Sequence, residues 1–389
     1  MIRSLLAALA VVALPAAAET GVDWQFSGFA TAGAVYTSSH ALQFARIGID
    51  APGGNRVDAG PDSVLGLQLN GRFGERSAAV LQLITRETQR GDHTPRPALA
   101  FISHALTPAL SVRAGRLRSP FFMLSDSADL NYSHPWVRPP VEVYGLNPFS
   151  DIDGIDLLYR TPVGPAHLEL HPYAGRSRIP VIGGGRATLD NLVGLSVTME
   201  AGEFSISAGH AIAELSVQRS SARVAALPGE LRSLLSGDDA RASFSSIGLQ
   251  WDDGRWLFSA ELARNTADAF TSSARGAYAS LGRRSGAFTP YLVLARQWQD
   301  EPAVRLATAD PGLGALVSAF NRSRNQSQRS LTLGVRWDFA SAAALKTELT
   351  HVRTERGAHG TFIARGDPFA RGLDNRAINL LSVSVDVVF

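Results

Sequence analysis

The sequence predicts an all-β protein: a transmembrane antiparallel β-barrel of sixteen strands, with a long third loop folded inward after the fifth strand. Three observations carry that expectation. Segments of about ten residues alternate apolar and polar side chains at period two along most of the chain. Tight turns and long loops alternate between those segments, as they must when every second connection lies on the same end of a barrel. The apolar faces of the strongest segments carry Leu, Val, Phe and Trp without a charge, and mean hydropathy is near zero, at +0.01. That is the balance of a sheet with a lipid-facing and a water-facing side.

Composition narrows the class further. Cysteine is absent, which excludes disulfides and thiolate metal sites, so the fold must close by backbone pairing. The net charge of +2 does not supply the dense basic face that a nucleic-acid partner needs. Among the basic residues Lys346 is the single lysine. Met1 to Ala18 places Arg3 before an apolar run, Leu5 to Leu14, and then Pro15-Ala16-Ala17-Ala18. That order reads as a secretory signal peptide with an Ala-x-Ala cleavage site, leaving residues 19–389 as the barrel domain.

The strands follow in order. Trp24 to Thr37 comes first, then a Gly/Pro/Asn/Asp-rich loop, Ala41 to Pro61. Ser63 to Phe73 sets Leu65, Leu67, Leu69 and Phe73 against Gln68, Asn70 and Arg72. Ala78 to Glu87 returns with Leu81 and Leu83 opposed to Gln82 and Arg86. Ala98 to Leu106 and Leu110 to Arg118 form the next hairpin, followed by the longest loop, Ser119 to Asp153. Hairpins then continue as Gly154 to Arg160 with Ala166 to Ala174, Asn191 to Glu200 with Glu203 to Ala213, and Arg241 to Trp251 with Trp256 to Arg264. Trp251 and Trp256 flank a turn, where an interfacial aromatic girdle belongs. Gly276 to Gly282 and Ala287 to Trp298 are less regular; Ser330 to Phe339, Ala344 to Glu355 and Ala377 to Phe389 complete the set.

In the last of these strands Leu381, Val383, Val385, Val387 and Phe389 fall on one face, and Ser382, Ser384 and Asp386 on the other. An alternating strand ending at a terminal Phe389 resembles the final strand of Gram-negative outer-membrane β-barrel proteins, which the outer-membrane assembly machinery reads as an address. Secreted sandwiches and propellers also have many short alternating strands. A propeller, however, should repeat a blade motif about every 40 residues, and none is found.

With the loop 119–153 after the fifth strand, the mature chain resembles general diffusion porins over its whole length. Arg113-Ala114-Gly115-Arg116-Leu117-Arg118-Ser119-Pro120-Phe121 is similar to the segment before the constriction loop in many proteobacterial porin-like sequences. Pro135-Trp136-Val137-Arg138-Pro139-Pro140 looks like a signature of one branch of them, while the Pro-Glu-Phe-Gly-Gly motif of enteric porins is missing from this loop. The resemblance implies an outer-membrane location among lipid and lipopolysaccharide, a homotrimer, and passive diffusion of small hydrophilic solutes. It implies no cofactor and no chemistry.

The loop's composition suits packing inside a barrel. Phe121, Phe122, Met123, Tyr132, Trp136, Tyr144 and Phe149 offer apolar anchors, and Pro135, Pro139 and Pro140 stiffen the path. Its acids outnumber its one base, Arg138. The expected constriction therefore sets wall bases Arg113 and Arg116, with Arg118 beside them, against loop acids Asp126, Asp129 and Glu142. Charges opposed across a low-dielectric pore would orient polar solutes. Gln68, Asn70, Arg72, Gln82, Arg336, Lys346 and Glu348 are expected to line the lumen elsewhere. His167, Glu169 and His171 share one strand face and could hold a metal, though a row of polar wall residues explains them as well. A barrel enzyme of phospholipase or protease type and a surface adhesin are the alternatives; no motif orders the scattered Ser, His and Asp residues into a triad.

Overall fold

A computed structural model describes residues 21–46, 56–181, 184–220, 222–364 and 376–389. The leader segment, Met1 to Ala18, lies outside the described residues. The chain closes into a sixteen-stranded antiparallel barrel. The strands are β1 (Val22–Thr37), β2 (Val64–Phe73), β3 (Ser77–Arg86), β4 (Arg96–Ala105), β5 (Leu110–Arg118), β6 (Asp151–Val163), β7 (Ala166–Pro180) and β8 (Gly185–Ala201). They continue as β9 (Phe204–Arg219), β10 (Gly237–Asp252), β11 (Trp256–Ala267), β12 (Ser273–Arg283), β13 (Phe288–Glu301), β14 (Gln328–Ala340), β15 (Ala343–Thr354) and β16 (Ala377–Val388).

Each strand pairs with its sequence neighbours, and β16 pairs with β1 from Phe29↔Val388 to Thr37↔Leu380. The last residue completes the seam: Gly28 N donates to Phe389 O at 2.7 Å, and Phe389 N to Gly28 O at 2.9 Å. A closed sheet leaves no unpaired edge, which is what lets strands cross a layer that offers no hydrogen-bonding partners.

The outward faces are apolar and open. Leu65, Leu67, Leu83, Leu195, Leu294, Leu333, Leu349 and Val383 are all exposed, as are the turn-side aromatics Trp24, Phe26, Phe73, Phe204, Phe288, Trp337 and Phe339. An apolar belt of this extent has water's affinity against it and lipid's in its favour.

The strands run further than the alternation of hydropathy suggests. β8 and β9 begin and end several residues beyond Asn191–Glu200 and Glu203–Ala213, because their loop-side ends carry Arg186, Asp190, Glu214 and Gln218 and still pair. The apolar signal stops where the lipid stops, while the ladder goes on. Two loop helices, α2 (Gly229–Leu235) and α3 (Pro311–Arg324), were not foreseen; they pack through Leu231, Leu235, Leu313, Val317 and Phe320. Asp310 caps α3, accepting from Gly312 N and Leu313 N. Another loop pairing sets Leu42–Phe44 beside Phe362–Ala364.

Candidate functional site: the lumen and its inward loop

The segment 119–150 leaves β5 and rejoins the wall at β6, so Asp151 and Asp153 belong to a strand and not to the loop. Ser119 N donates to Ser150 O at 3.1 Å, pinching the loop at its base. Beyond that neck it enters the barrel as short helical turns, Ser125–Ser127, Asn131–Ser133 and α1 (Val141–Tyr144).

One flank of the loop is apolar. Phe121 lies 5.5 Å from the Phe244 ring and 6.2 Å from Tyr173; Phe122 stacks on Tyr144 at 4.7 Å. Trp136 meets Tyr278 edge-on at 5.7 Å and donates Nε1–H to Ser280 Oγ at 2.9 Å. Behind the aromatics Glu261, buried on the inward face of β11, accepts from Met123 N at 2.8 Å and from the Tyr144 hydroxyl at 2.7 Å. The approach is close enough to demand glycine on the wall. A Cβ on Gly276 would stand 2.0 Å from Glu142 O, and one on Gly248 would stand 2.6 Å from Met123 Sδ.

The other flank is polar and fastened to the opposite arc. Lys346 Nζ donates to Asn131 O at 2.5 Å and to Trp136 O at 2.8 Å. Arg336 Nη1 donates to Tyr132 O and His134 O at 2.5 and 3.0 Å. Val137 N donates to Glu348 Oε1 at 2.9 Å, and Gln328 Nε2 to Glu142 Oε1 at 2.8 Å. Arg138 forks onto Asp62, donates to Ser382 Oγ at 2.7 Å and lies over the Phe44 ring at 4.7 Å. Asn131 Nδ2 reaches Thr31 Oγ1 at 3.2 Å. The loop is thus held by strands on both sides and crosses the lumen between them.

The expected constriction is rearranged. Arg113 faces the lumen, but its fork closes on the wall carboxylate Asp156, at 2.8 and 2.5 Å, with His171 Nε2 3.3 Å away. Arg116 pairs with Asp153 at 2.7 Å on the outward face, since residues three apart on a strand point to opposite sides. Arg118, the last residue of β5, joins Arg86 in gripping Asp129. Burial alone would push the Asp129 carboxyl up. The Arg86 and Arg118 guanidiniums, with Arg46 and Arg96 behind them, hold it well below the usual carboxylate range. Glu142 is buried on Gln328, so of the three loop acids only Asp126 is exposed to the lumen, within electrostatic reach of Arg113.

The remaining expected lining residues divide the same way. Gln82 Nε2 donates to Gln68 Oε1 at 2.8 Å and Gln68 Nε2 to Asn70 Oδ1 at 3.0 Å, a polar ladder on β2 and β3, with Arg72 exposed near the turn. Arg336, Lys346 and Glu348 do point inward, yet as fasteners of the loop. The row His167, Glu169, His171 is split: His171 bonds Asp156 at 2.8 Å, Glu169 pairs with Arg160 at 2.6 Å, and among the described residues no cluster could hold a metal ion.

The sequence reading missed Asp62, Asp156, Glu261, Ser280 and Gln328 as partners. Asp156, Glu261, Ser280 and Gln328 are polar residues on the inward parity of strands, the one signal that could have found them; Asp62 lies in the turn before β2, where no parity applies. The segment 135–140, which looks like a signature of one branch of porin-like sequences, is the stretch whose Trp136, Val137 and Arg138 all bond to the wall.

No protein-family model matches the chain, and no curated protein does. Solved structures do. The outer membrane channel DcaP of Acinetobacter baumannii is similar at 12% identity and a TM-score of 0.55, over 95% of this chain and 98% of that one. The in-vitro folded trimer form of OmpT, an outer membrane protein of Vibrio cholerae, is similar at 12% identity and 0.55, over 95% and 100%. The L8 loop-deletion mutant of OmpT gives 12% and 0.54 over 95% and 100%. The likeness is one of fold: a closed membrane barrel of the kind found in bacterial outer membranes.

Proposed function

We propose that this outer-membrane barrel is a water-filled channel for passive diffusion of small hydrophilic solutes and ions, with the loop 119–150 setting its bore. The observation that carries the reading is the loop's two-sided fastening, aromatic on the β7–β13 side and hydrogen-bonded on the β14–β16 side, which holds it across the lumen as a constriction. The passage runs past the polar ladder of Gln68, Asn70 and Gln82 and between Asp126 and the Arg113–Asp156–His171 wall. Opposed fixed charges there bias which ions enter. The group lying against the His171–Asp156 pair is a guanidinium and not a serine hydroxyl, which favours a pore wall over a hydrolytic site. A homotrimer belongs to the proposal, as the trimer form of OmpT does to that protein.

The test is single-channel conductance and reversal potential of the detergent-purified protein in planar bilayers under a salt gradient. Stepwise openings are expected, in threes for a trimer, with the reversal potential displaced in opposite directions by Arg113→Ala and Asp126→Asn. Barrels that insert, migrate as folded on unheated gels and yet pass no current would overturn it.

A further inference from the structure

Outside the lumen, the lipid-facing rows change character on one arc of the barrel. On β11 Leu262 is followed two residues later by Arg264, and on β13 Leu292 and Leu294 are followed by Arg296. On β14 Arg329 precedes Leu331 and Leu333; on β12 Arg275 precedes Ala277, Ala279 and Leu281; on β15 Leu349 and His351 lead to Arg353. Residues two apart share a strand face, and all five arginines are exposed.

Register turns these positions into one row. Arg264 stands opposite Arg275, Arg296 opposite Arg329, and Arg329 opposite Arg353. The gap between Arg275 and Arg296 is filled by Trp298, whose ring lies 5.4 Å from one guanidinium carbon and 5.3 Å from the other. Like charges set directly across a sheet repel. Asp300 relieves Arg264 and Arg275, at 3.1 and 2.9 Å, and Glu355 relieves Arg296 at 2.7 Å. Arg329 and Arg353 have no acidic partner among the described residues. Five guanidiniums thus face two carboxylates. On the far arc signs alternate instead, as in Arg116 opposite Asp153 opposite Arg176, with Arg176 paired to Asp190.

The height of the row is telling. From Arg329 along β14 to the turn-side Phe339 is about 33 Å of strand at roughly 3.3 Å per residue. At a tilt near 40° that is about 25 Å of depth, the thickness of the lipid-facing band in such barrels. The arginines therefore stand at the interface opposite the turn-side aromatic ring, at headgroup level. Immediately below them Leu294, Leu331, Leu333 and Leu349 are exposed by 54, 41, 54 and 55%.

We propose that the row Arg264–Arg275–Arg296–Arg329–Arg353 binds the phosphorylated headgroup of an outer-leaflet lipid, with Arg329 and Arg353 forking onto phosphate oxygens and the acyl chains lying on the leucines below. Phosphate supplies the missing negative charge in the planar, bidentate geometry that guanidinium favours. The leucines select a lipid over a soluble anion.

The experiment is native mass spectrometry of the full-length, delipidated protein in detergent. It is titrated with diphosphorylated lipid A, the same lipid stripped of phosphate, and inorganic phosphate. Retention of the diphosphorylated lipid is expected, about tenfold weaker in the Arg329→Gln/Arg353→Gln variant and unchanged in Arg178→Gln on the far arc. Each single variant is expected to lose about threefold, which keeps the test open should the double variant not fold. Equal binding by wild type and both single variants, equal retention of the phosphate-free lipid, displacement by millimolar inorganic phosphate, or cross-links showing a second copy of the chain seated on β11–β15 in place of lipid would each overturn the proposal.

Discussion

Lys346 Nζ lies 2.9 Å from Asp386 Oδ2 with both side chains shut off from solvent, and the same ammonium donates to two carbonyls of the inward loop. Its charge is paired with β16 and two of its donors are taken by points of the loop, so the chain's single lysine ties the loop to the wall. Lys346→Met would leave Asp386 buried without its counter-ion and two carbonyls without a donor. A loss of about 3–5 kcal/mol is expected. It would be read as a lowered urea midpoint in detergent, together with larger, less stable single-channel openings. An unchanged midpoint would mean that the ammonium holds nothing.

Asp129 carries the opposite lesson, one carboxylate between Arg86 and Arg118. Asp129→Asn keeps the shape and removes the charge, leaving two guanidiniums facing each other inside the lumen. The loop should lose its grip on the β3–β5 side, and gating noise in bilayer recordings should rise. Arg86→Gln combined with Asp129→Asn should recover part of the quiet state.

His134 links the loop to pH. Burial lowers its pKa from 6.5 to about 4, and the neighbouring Lys346 and Arg336 charges push the same way. Below about pH 6.5 the unfolded chain takes up a proton that the folded ring refuses. Stability therefore falls as pH drops from about 6.5 towards 4, by up to about 3 kcal/mol, and the loss is complete once the folded ring is charged. Wild-type channels should become noisier between pH 6 and 4, and His134→Gln channels should change much less over that range.

Gly276→Ala tests the close approach of loop to wall. The added Cβ would meet Glu142 O, a backbone atom that cannot swing aside, so α1 must shift. A cost of about 1–3 kcal/mol is expected, measurable as a lower unfolding midpoint. The matched Gly282→Ala, where the nearest atom to an added Cβ is 3.5 Å away, should cost less.

The barrel was readable from the sequence because lipid imposes a rule on every second residue: Leu331, Leu333, Val335, Trp337 and Phe339 could face only one way. The loop's presence was readable from its length, place and aromatics. Its contacts were not, since which strand a lumen residue faces depends on the diameter and stagger of the closed sheet, and no local pattern encodes those. Arg113 and Arg116 show the limit most plainly. Their types suggested one wall, but the pleat puts them on opposite sides. Lys346 and Glu348 were read as bare lining because nothing in β15 itself announces the loop backbone they hold.

The loop also bears on how the two ends of the sheet find each other. Asn131 touches β1 through Thr31, Arg138 touches β16 through Ser382, and Thr31 Oγ1 donates to Asp386 Oδ1 across the seam at 2.7 Å. A segment from the middle of the chain therefore spans, from within, the joint between its first and last strands. Circumference is gauged by an internal spacer as well as by rung pairing: a ring one strand too narrow or too wide would leave Arg138 or Asn131 without its partner. Loop and seam therefore stabilise each other: Asn131 and Arg138 reach both of their partners only when the first and last strands stand in register.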